Sequence, residues 1–487
     1  MNTLQNLISS ESFLRKFLPG LLFVVFIVAN TIFIIEESAL IPLGLVMGLI
    51  TVTLTLRYPI AAAVFLLAGR ILIDLLFSTS GSGLSIGSLF SIGCTGLALW
   101  HTRHYLKEVR THDLFLPLVI LLALVTIGSL NASSMKEAFS ISLKLFLPFF
   151  IFFAFLANIQ TKAQAFRVIL LIGIISLIAV GSTFYHWSSG QLEEQIFKGY
   201  GRLTGAYSSH RNHALSLFLF IFVYASLAFR VGLGRFRYFF FVCLGFSLFF
   251  LYHTHTRSAQ LVTILAMLSA LVALKRWIVL STLGVFLGIA ILNSETIQDR
   301  FKDLVLVFNV ENIEWDTVKD LGSGRYLMWS RAVPTYFEQS PFNIAFGLGS
   351  GRHTLLSQRV YDPFSDLSDD SEIQYTIDTH NSVLFLLFQF GPLSIIVFGY
   401  ILWKTFMIGY WLVQNGRTDW ERKFGAVIIA LVVGFALNDS ISNGFVDRTS
   451  LNVLLWPVFA SAYRLKQLLE TNQEAELSED IKVIETV

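Results

Sequence analysis

Residues 165–187 read AFRVILLIGIISLIAVGSTFYHW. The run's one full charge, Arg167, stands near its start. A bilayer core takes roughly 20 apolar residues of helix, and backbone groups in hydrocarbon must pair within their own segment. The stretch therefore reads as a membrane-spanning helix. Working outward, similar runs occur near 142–159, 113–130, 84–100, 58–77, 39–56 and 17–35 on the N-terminal side. On the C-terminal side they occur near 212–230, 236–253, 258–274, 276–292, 380–412, 423–440 and 450–465. That makes about fourteen spans, with no barrel-type alternation, and an all-α polytopic membrane protein. The run 380–412 is long for one span: either Gly391-Pro392 kinks it or it projects beyond the bilayer. No small-residue cleavage site follows 17–35, which reads as a retained first span.

Composition agrees. Charged residues make up 14% and hydrophobic residues 54%, with a mean hydropathy of +0.66. A soluble domain carries about a quarter charged residues, so an ordinary soluble protein is excluded. The 46 phenylalanines suit lipid-facing helices. Cys94 and Cys243 both lie in apolar runs, which argues against a disulfide framework or a thiolate metal site. No cofactor and no nucleic-acid partner is expected.

Lys and Arg set the orientation. With Arg15 and Lys16 in the cytoplasm, the inside loops hold Arg57; Arg103, Lys107 and Arg110; Lys162 and Arg167; Arg230, Arg235 and Arg237; Lys275 and Arg276; and Arg417, Arg422 and Lys423. These are about fourteen basic residues against about six in the short outside loops, the bias expected of cytoplasmic loops. Both termini are then cytoplasmic, and the polar tail after Leu465 reads as partly disordered.

Two outside segments are too long to be plain connectors, Ser188–Arg211 and Asn293–Thr379. In the second, Tyr326, Trp329, Val333 and Phe337 fall at helical spacing and suit a surface helix, although Pro334 argues for a break within it. The acidic stretch 362–378 reads as a solvated loop; a cation site is the rival, without the spacing of an ion loop. Gly347-Leu-Gly-Ser-Gly351 reads as a tight turn beside the membrane rather than a phosphate loop.

The outer face gathers cationic and protonatable groups: Arg202, His210, Arg211 and His213; His253, His255 and Arg257; Arg325 and Arg352; and His380. Charges near hydrocarbon are costly and usually functional. Converging guanidinium forks suit a lipid-linked phosphate or diphosphate. Each residue also has a plain reading. Arg202 and Arg211 could touch lipid headgroups, Arg257 could pair with a loop carboxylate, and Arg325 could be an ordinary loop charge. His380-Asn381 could cap a helix, and His253 and His255 lack a third zinc ligand. Arg70 and Asp74, four apart, pair as structure.

At these residues the sequence resembles the O-antigen ligase/polymerase family of bacterial envelope membrane proteins. Arg202-Leu-Thr-Gly205 followed by Asn212 is similar to the family's Arg-x-x-Gly…Asn element, with Arg211 where proline is usual. Thr256-Arg257-Ser258, Gly324-Arg325…Trp329 and His380-Asn381…Gly391 resemble three further motifs, with Ser394 where the last has Gly, Thr or Tyr. The resemblance covers roughly residues 200–440. It divides the chain into an N-terminal bundle (1–199), a catalytic region (200–440) with a periplasmic loop at 293–379, and a last helix and tail (441–487).

The resemblance implies a multispanning glycosyltransferase of the bacterial inner membrane, using an undecaprenyl-diphosphate-linked glycan donor at the periplasmic face. The acceptor is another glycan for a polymerase, or lipid A–core for a ligase. Membrane lipid and other polysaccharide-assembly proteins are further partners. Arg202, Arg257 and Arg325, with Arg211, are expected to hold the diphosphate. His380 is the expected base or hydroxyl-orienting group, Asn212 and Asn381 support the site, and no metal is required. The span count and large loop lean towards a polymerase. A lipid-linked-sugar flippase or transporter is the rival of another class, but it should carry charges near the bilayer midplane.

Overall fold

The computed structural model describes residues 96, 103, 106–132, 135–190, 193–197, 200–203, 210–282, 284–285, 325–349, 381–442 and 449–485. The four expected spans before residue 101 lie almost wholly outside these, as do Arg70, Asp74, Cys94, Arg352, His380 and the acidic stretch 362–378.

Helices dominate. In chain order they are α1 (Leu106–Thr111), α2 (Phe115–Leu130), α3 (Met135–Asn158), α4 (Lys162–Ser188), α5 (His210–Ala228), α6 (Phe236–His253) and α7 (Arg257–Ala273). There follow α8 (Arg325–Phe337), α9 (Pro341–Phe346), α10 (Ser382–Phe390), α11 (Pro392–Asn415), α12 (Asp419–Ile441) and α13 (Thr449–Glu485). Among the described residues six helices are long and apolar enough to cross a membrane: α3, from Ala138 onward, α4, α5, α6, α11 and α12. Helices α2 and α7 are apolar but shorter. The chain is a multi-pass membrane protein.

Local chemistry sets the helix starts. Thr161 accepts from the Gln164 N–H while the Gln164 side chain accepts from the Thr161 N–H, a capping box that opens α4. Thr418 and Glu421 open α12 in the same way. Helix α5 is apolar all round and buried from His213 through Val223, so it is the central helix of the bundle. It packs on α4, where Ser176 Oγ donates to the Tyr224 hydroxyl at 2.7 Å, and on α6, α7 and α12. Helix α6 turns Phe236, Phe239, Phe241, Phe246 and Phe249 outward, an aromatic face suited to lipid. Trp456 of α13 is buried against Phe149 and Phe152 of α3, with ring centroids 4.8 and 6.0 Å away.

The structure corrects three expectations. The segment after α4 departs from an all-α chain: β1 (Glu193–Phe197) pairs antiparallel with β2 (Tyr200–Arg202), Glu193 opposite Arg202. Ile196, Phe197 and Tyr200 are strand formers. Helix α8 runs through Pro334 without a break; proline removes one N–H from the ladder, but three helical residues still follow it. The tail beyond Leu465 continues as helix to Glu485, in keeping with its Glu, Leu, Lys and Gln content.

The long run 380–412 resolves into two helices broken at Gly391, whose φ of 79° and ψ of 172° no helix accepts. The break leaves carbonyls to satisfy. Pro392 has no N–H to give Phe388, four residues earlier, and the Leu348 N–H donates to the Phe388 carbonyl instead at 2.7 Å. The Gly349 N–H donates to the Gln389 carbonyl at 3.2 Å. Buried Ser394 donates to the Leu386 and Gly391 carbonyls at 3.0 and 2.6 Å. The turn at Gly347 is thus a cap for a broken helix.

Ser394→Ala should lower stability by about 0.5–1.5 kcal/mol by removing the buried hydroxyl's hydrogen bonds, and Ser394→Thr should retain most of it. Thermal unfolding of the purified protein in detergent checks both, and equal melting of Ser394→Ala and wild type would remove this role.

Candidate functional site at one end of the bundle

The helices alternate, so their termini fall into two groups. The C-terminus of α4 meets the N-terminus of α5 where Thr183 Oγ1 lies 3.2 Å from His213 Nε2. The C-terminus of α6 joins them, since Trp187 packs edge-on to Phe249 with centroids 5.4 Å apart. Thr254–Thr256 connect α6 directly to Arg257 at the start of α7. Helix α12 runs antiparallel to α7, with Gly434 beside Ala266, so its C-terminus reaches the same end. Asn381 and Ser382 are tied to that C-terminus. Asn381 Nδ2 donates to the Ser440 carbonyl at 2.7 Å, and Ser382 Oγ donates to Asp439 Oδ1 at 3.0 Å.

The two helix starts at this end differ. Asn381 caps α10, its Oδ1 accepting from the Val383 and Leu384 N–H groups at 2.9 and 3.0 Å. The cap reading therefore holds for Asn381. In contrast, Thr256 makes no side-chain cap to α7. Exposed Arg257 stands on that first turn, where the helix dipole favours an anion. Just before it, His255 has a φ of 50°, an uncommon backbone state for a residue with a side chain. The His253 ring lies against Phe249 with centroids 4.4 Å apart, and the two histidine rings are 6.4 Å apart.

The other candidates are placed by their backbones. Arg202 ends β2, between α4 and α5; Arg211 and Asn212 lie in the first turn of α5, half-buried; and Arg325 begins α8. Helix α8 docks at this end through Tyr336, whose hydroxyl donates to the Ile344 carbonyl at 2.7 Å and whose ring sits 5.2 Å from Phe388. Burial raises the Tyr336 phenol to about 12. In the expected apolar stripe of α8, Trp329 and Val333 pack on this cluster, whereas Phe337 is exposed. Sequence reasoning passed over Ser382 and Asp439. An aspartate near the end of an apolar span is the signal that marks such a site.

The opposite end is built differently. Arg230 stacks over Phe166 at 3.3 Å and lies 4.8 Å from the Trp420 ring. Burial lowers Arg230 to about 10, and Glu421 opposes the shift. Lys162 Nζ lies 3.6 Å from Glu421, and Arg464 Nε donates to the Ile159 carbonyl at 2.6 Å. Lys275, Arg276, Arg422 and Lys423 line one cleft there. The cations assigned above to inside loops 160–167, 230–237, 275–276 and 417–423 therefore share one end, away from Arg257.

No curated protein matches the chain. A family model described as O-antigen ligase matches residues 239–403, from within α6 to within α11, and spans Arg257, Arg325, His380, Asn381 and Gly391. Over that region the chain is similar to the O-antigen ligase family, as the motifs at Arg257, Arg325 and His380-Asn381 led one to expect.

Proposed function

We infer that the chain is a polysaccharide glycosyltransferase acting at the periplasmic face of a bacterial inner membrane. The donor is a glycan linked to undecaprenyl diphosphate, and the favoured reaction is polymerisation of O-antigen or another surface polysaccharide. The observation that carries this reading is the uncapped, arginine-bearing start of α7 inside the O-antigen ligase region. The cation-rich opposite end supports a cytoplasmic location for that end, and hence an outer location for Arg257. The proposed topology has about fourteen spans of roughly 20 residues each, with both termini cytoplasmic, a periplasmic loop at 293–379 and a catalytic region at 200–440.

In the proposed step an acceptor hydroxyl attacks the anomeric carbon of the donor sugar. A new glycosidic C–O bond forms as the bond to the diphosphate oxygen breaks, with inversion. The hydroxyl proton passes to His380, an imidazole that titrates near neutral pH. The electron pair leaves on the lipid diphosphate, where Arg202, Arg257 and Arg325, with Arg211, stabilise the growing charge. Asn212 and Asn381 support the geometry, Asn381 by fixing the start of α10 directly after His380. The arginines supply the charge that a metal would otherwise bring.

The same chemistry serves a ligase whose acceptor is lipid A–core. The glycan ladder of a deletion strain separates the two. Loss of a polymerase leaves single repeat units on the acceptor, and loss of a ligase leaves none. An unchanged ladder would reject both for that glycan.

A further inference from the structure

The end of the bundle away from Arg257 holds a cleft of ≈ 280 Å³ whose lining includes Leu274, Lys275, Arg276, Asp419, Arg422 and Lys423. Four cations meet one carboxylate. That carboxylate is taken, since Lys423 Nζ lies 2.7 Å from Asp419 Oδ2. Lys275, Arg276 and Arg422 remain as excess positive charge in one concave site. Arg422 Nε donates to the Gly416 carbonyl at 3.1 Å, which anchors its guanidinium.

The bias of cytoplasmic loops accounts for cations at this end but not for their meeting in one cleft, and complementing helix dipoles covers only half of them. Lys275 and Arg276 follow the C-terminus of α7, where cations are favoured, but Arg422 and Lys423 lie near the N-terminus of α12, where they are not. The backbone gives a second, independent sign. Helix α7 ends with the Arg276 N–H bonded to the Leu271 carbonyl and the Lys275 N–H to the Val272 carbonyl, the pattern in which glycine usually takes the left-handed position. Here Lys275 takes it, at φ 54°, so a cationic side chain is kept at a strained backbone position. Functional sites are where such strain is held.

We propose that this cleft is a phosphate-binding site, distinct from the diphosphate site, and that its occupant is the headgroup of an anionic phospholipid. Two guanidinium groups and the Lys275 ammonium match phosphate oxygens. Basic pockets between helices at the membrane surface take such headgroups. Helix α7 has 17 residues, so Arg257 and the cleft stand about 25 Å apart along its axis. The proposal holds whether or not Arg257 acts on a glycan donor.

The test uses the full chain in zwitterionic nanodiscs. Phosphatidylglycerol is titrated in one arm and inorganic phosphate in the other, and binding is followed by native mass spectrometry and thermal shift. Wild type should bind about one phosphatidylglycerol tightly, and Lys275→Gln with Arg276→Gln should weaken it about tenfold, since each cation contributes to anionic-surface binding. Arg235→Gln with Arg237→Gln removes two charges at the same end and should weaken it less than about threefold. Variant-sensitive binding of inorganic phosphate instead would keep the site and make its ligand a soluble anion. Equal losses in both double variants, or no loss in the first for either ligand, would overturn the proposal. If Lys275→Gln with Arg276→Gln does not fold, Arg276→Gln set against Arg235→Gln carries the same comparison.

Discussion

Arg257→Ala is expected to slow glycan transfer by about 10²–10³ while the protein folds and melts as wild type. The rate follows from charge. Breaking the sugar–diphosphate bond builds negative charge on the leaving oxygens, and a guanidinium at the start of α7 adds to the positive end of the helix dipole. The stability follows from exposure, because the Arg257 side chain is exposed on the first turn and alanine is the best helix former. Arg257→Lys should recover only part of the rate, since a lysine keeps the charge but loses the bidentate fork. The readouts are kcat with the lipid-linked donor and the melting temperature of the same preparation. Near-normal product from Arg257→Ala at normal expression would remove its assigned role.

Gly391→Ala is expected to act in the opposite way, destroying the fold rather than the chemistry. Gly391 and Gly347 have φ of 79° and 84° with ψ of 172° and 168°, a region open essentially to glycine alone. A Cβ on Gly391 would collide with the Ala345 carbonyl, and one on Gly347 with the Gln389 backbone. Backbone strain of about 1–3 kcal/mol combines with overlap that neither backbone can relieve. The loss should exceed about 3 kcal/mol and therefore the loss from Ser394→Ala. Size-exclusion profiles and thermal unfolding check it. A Gly391→Ala protein that melts within a few degrees of wild type would mean that the junction of α10, α11 and the 347–349 turn is not what holds this end together.

What the sequence discloses here depends on how far apart the cooperating residues lie. Runs such as 236–253 give their helix to the residue, because a mostly apolar run of 18 residues in a bilayer has one stable backbone solution. The break at Gly391-Pro392 is equally local. Pro392 announces that the Phe388 carbonyl will need another donor, but nothing local says that Leu348, forty residues earlier, provides it. The hairpin at 193–202 hid for a different reason: short strand formers between apolar helices carry a weak periodic signal. Among the candidate residues, the place of Arg257 at a helix start and the cap at Asn381 were legible. Asp439 was passed over because one carboxylate at the end of an apolar run reads as a boundary until Ser382 is seen to bond it.

The central claim is that this chain transfers a glycan from a lipid diphosphate. The most direct measurement incubates the purified protein with an undecaprenyl-diphosphate-linked repeat unit, in chelator, and follows the lipid-linked donor on a gel. Longer lipid-linked chains, absent with Arg257→Ala, are the predicted result. A donor left unchanged, even when lipid A–core is supplied as acceptor, would contradict glycosyl transfer for that glycan and bring a transport role forward.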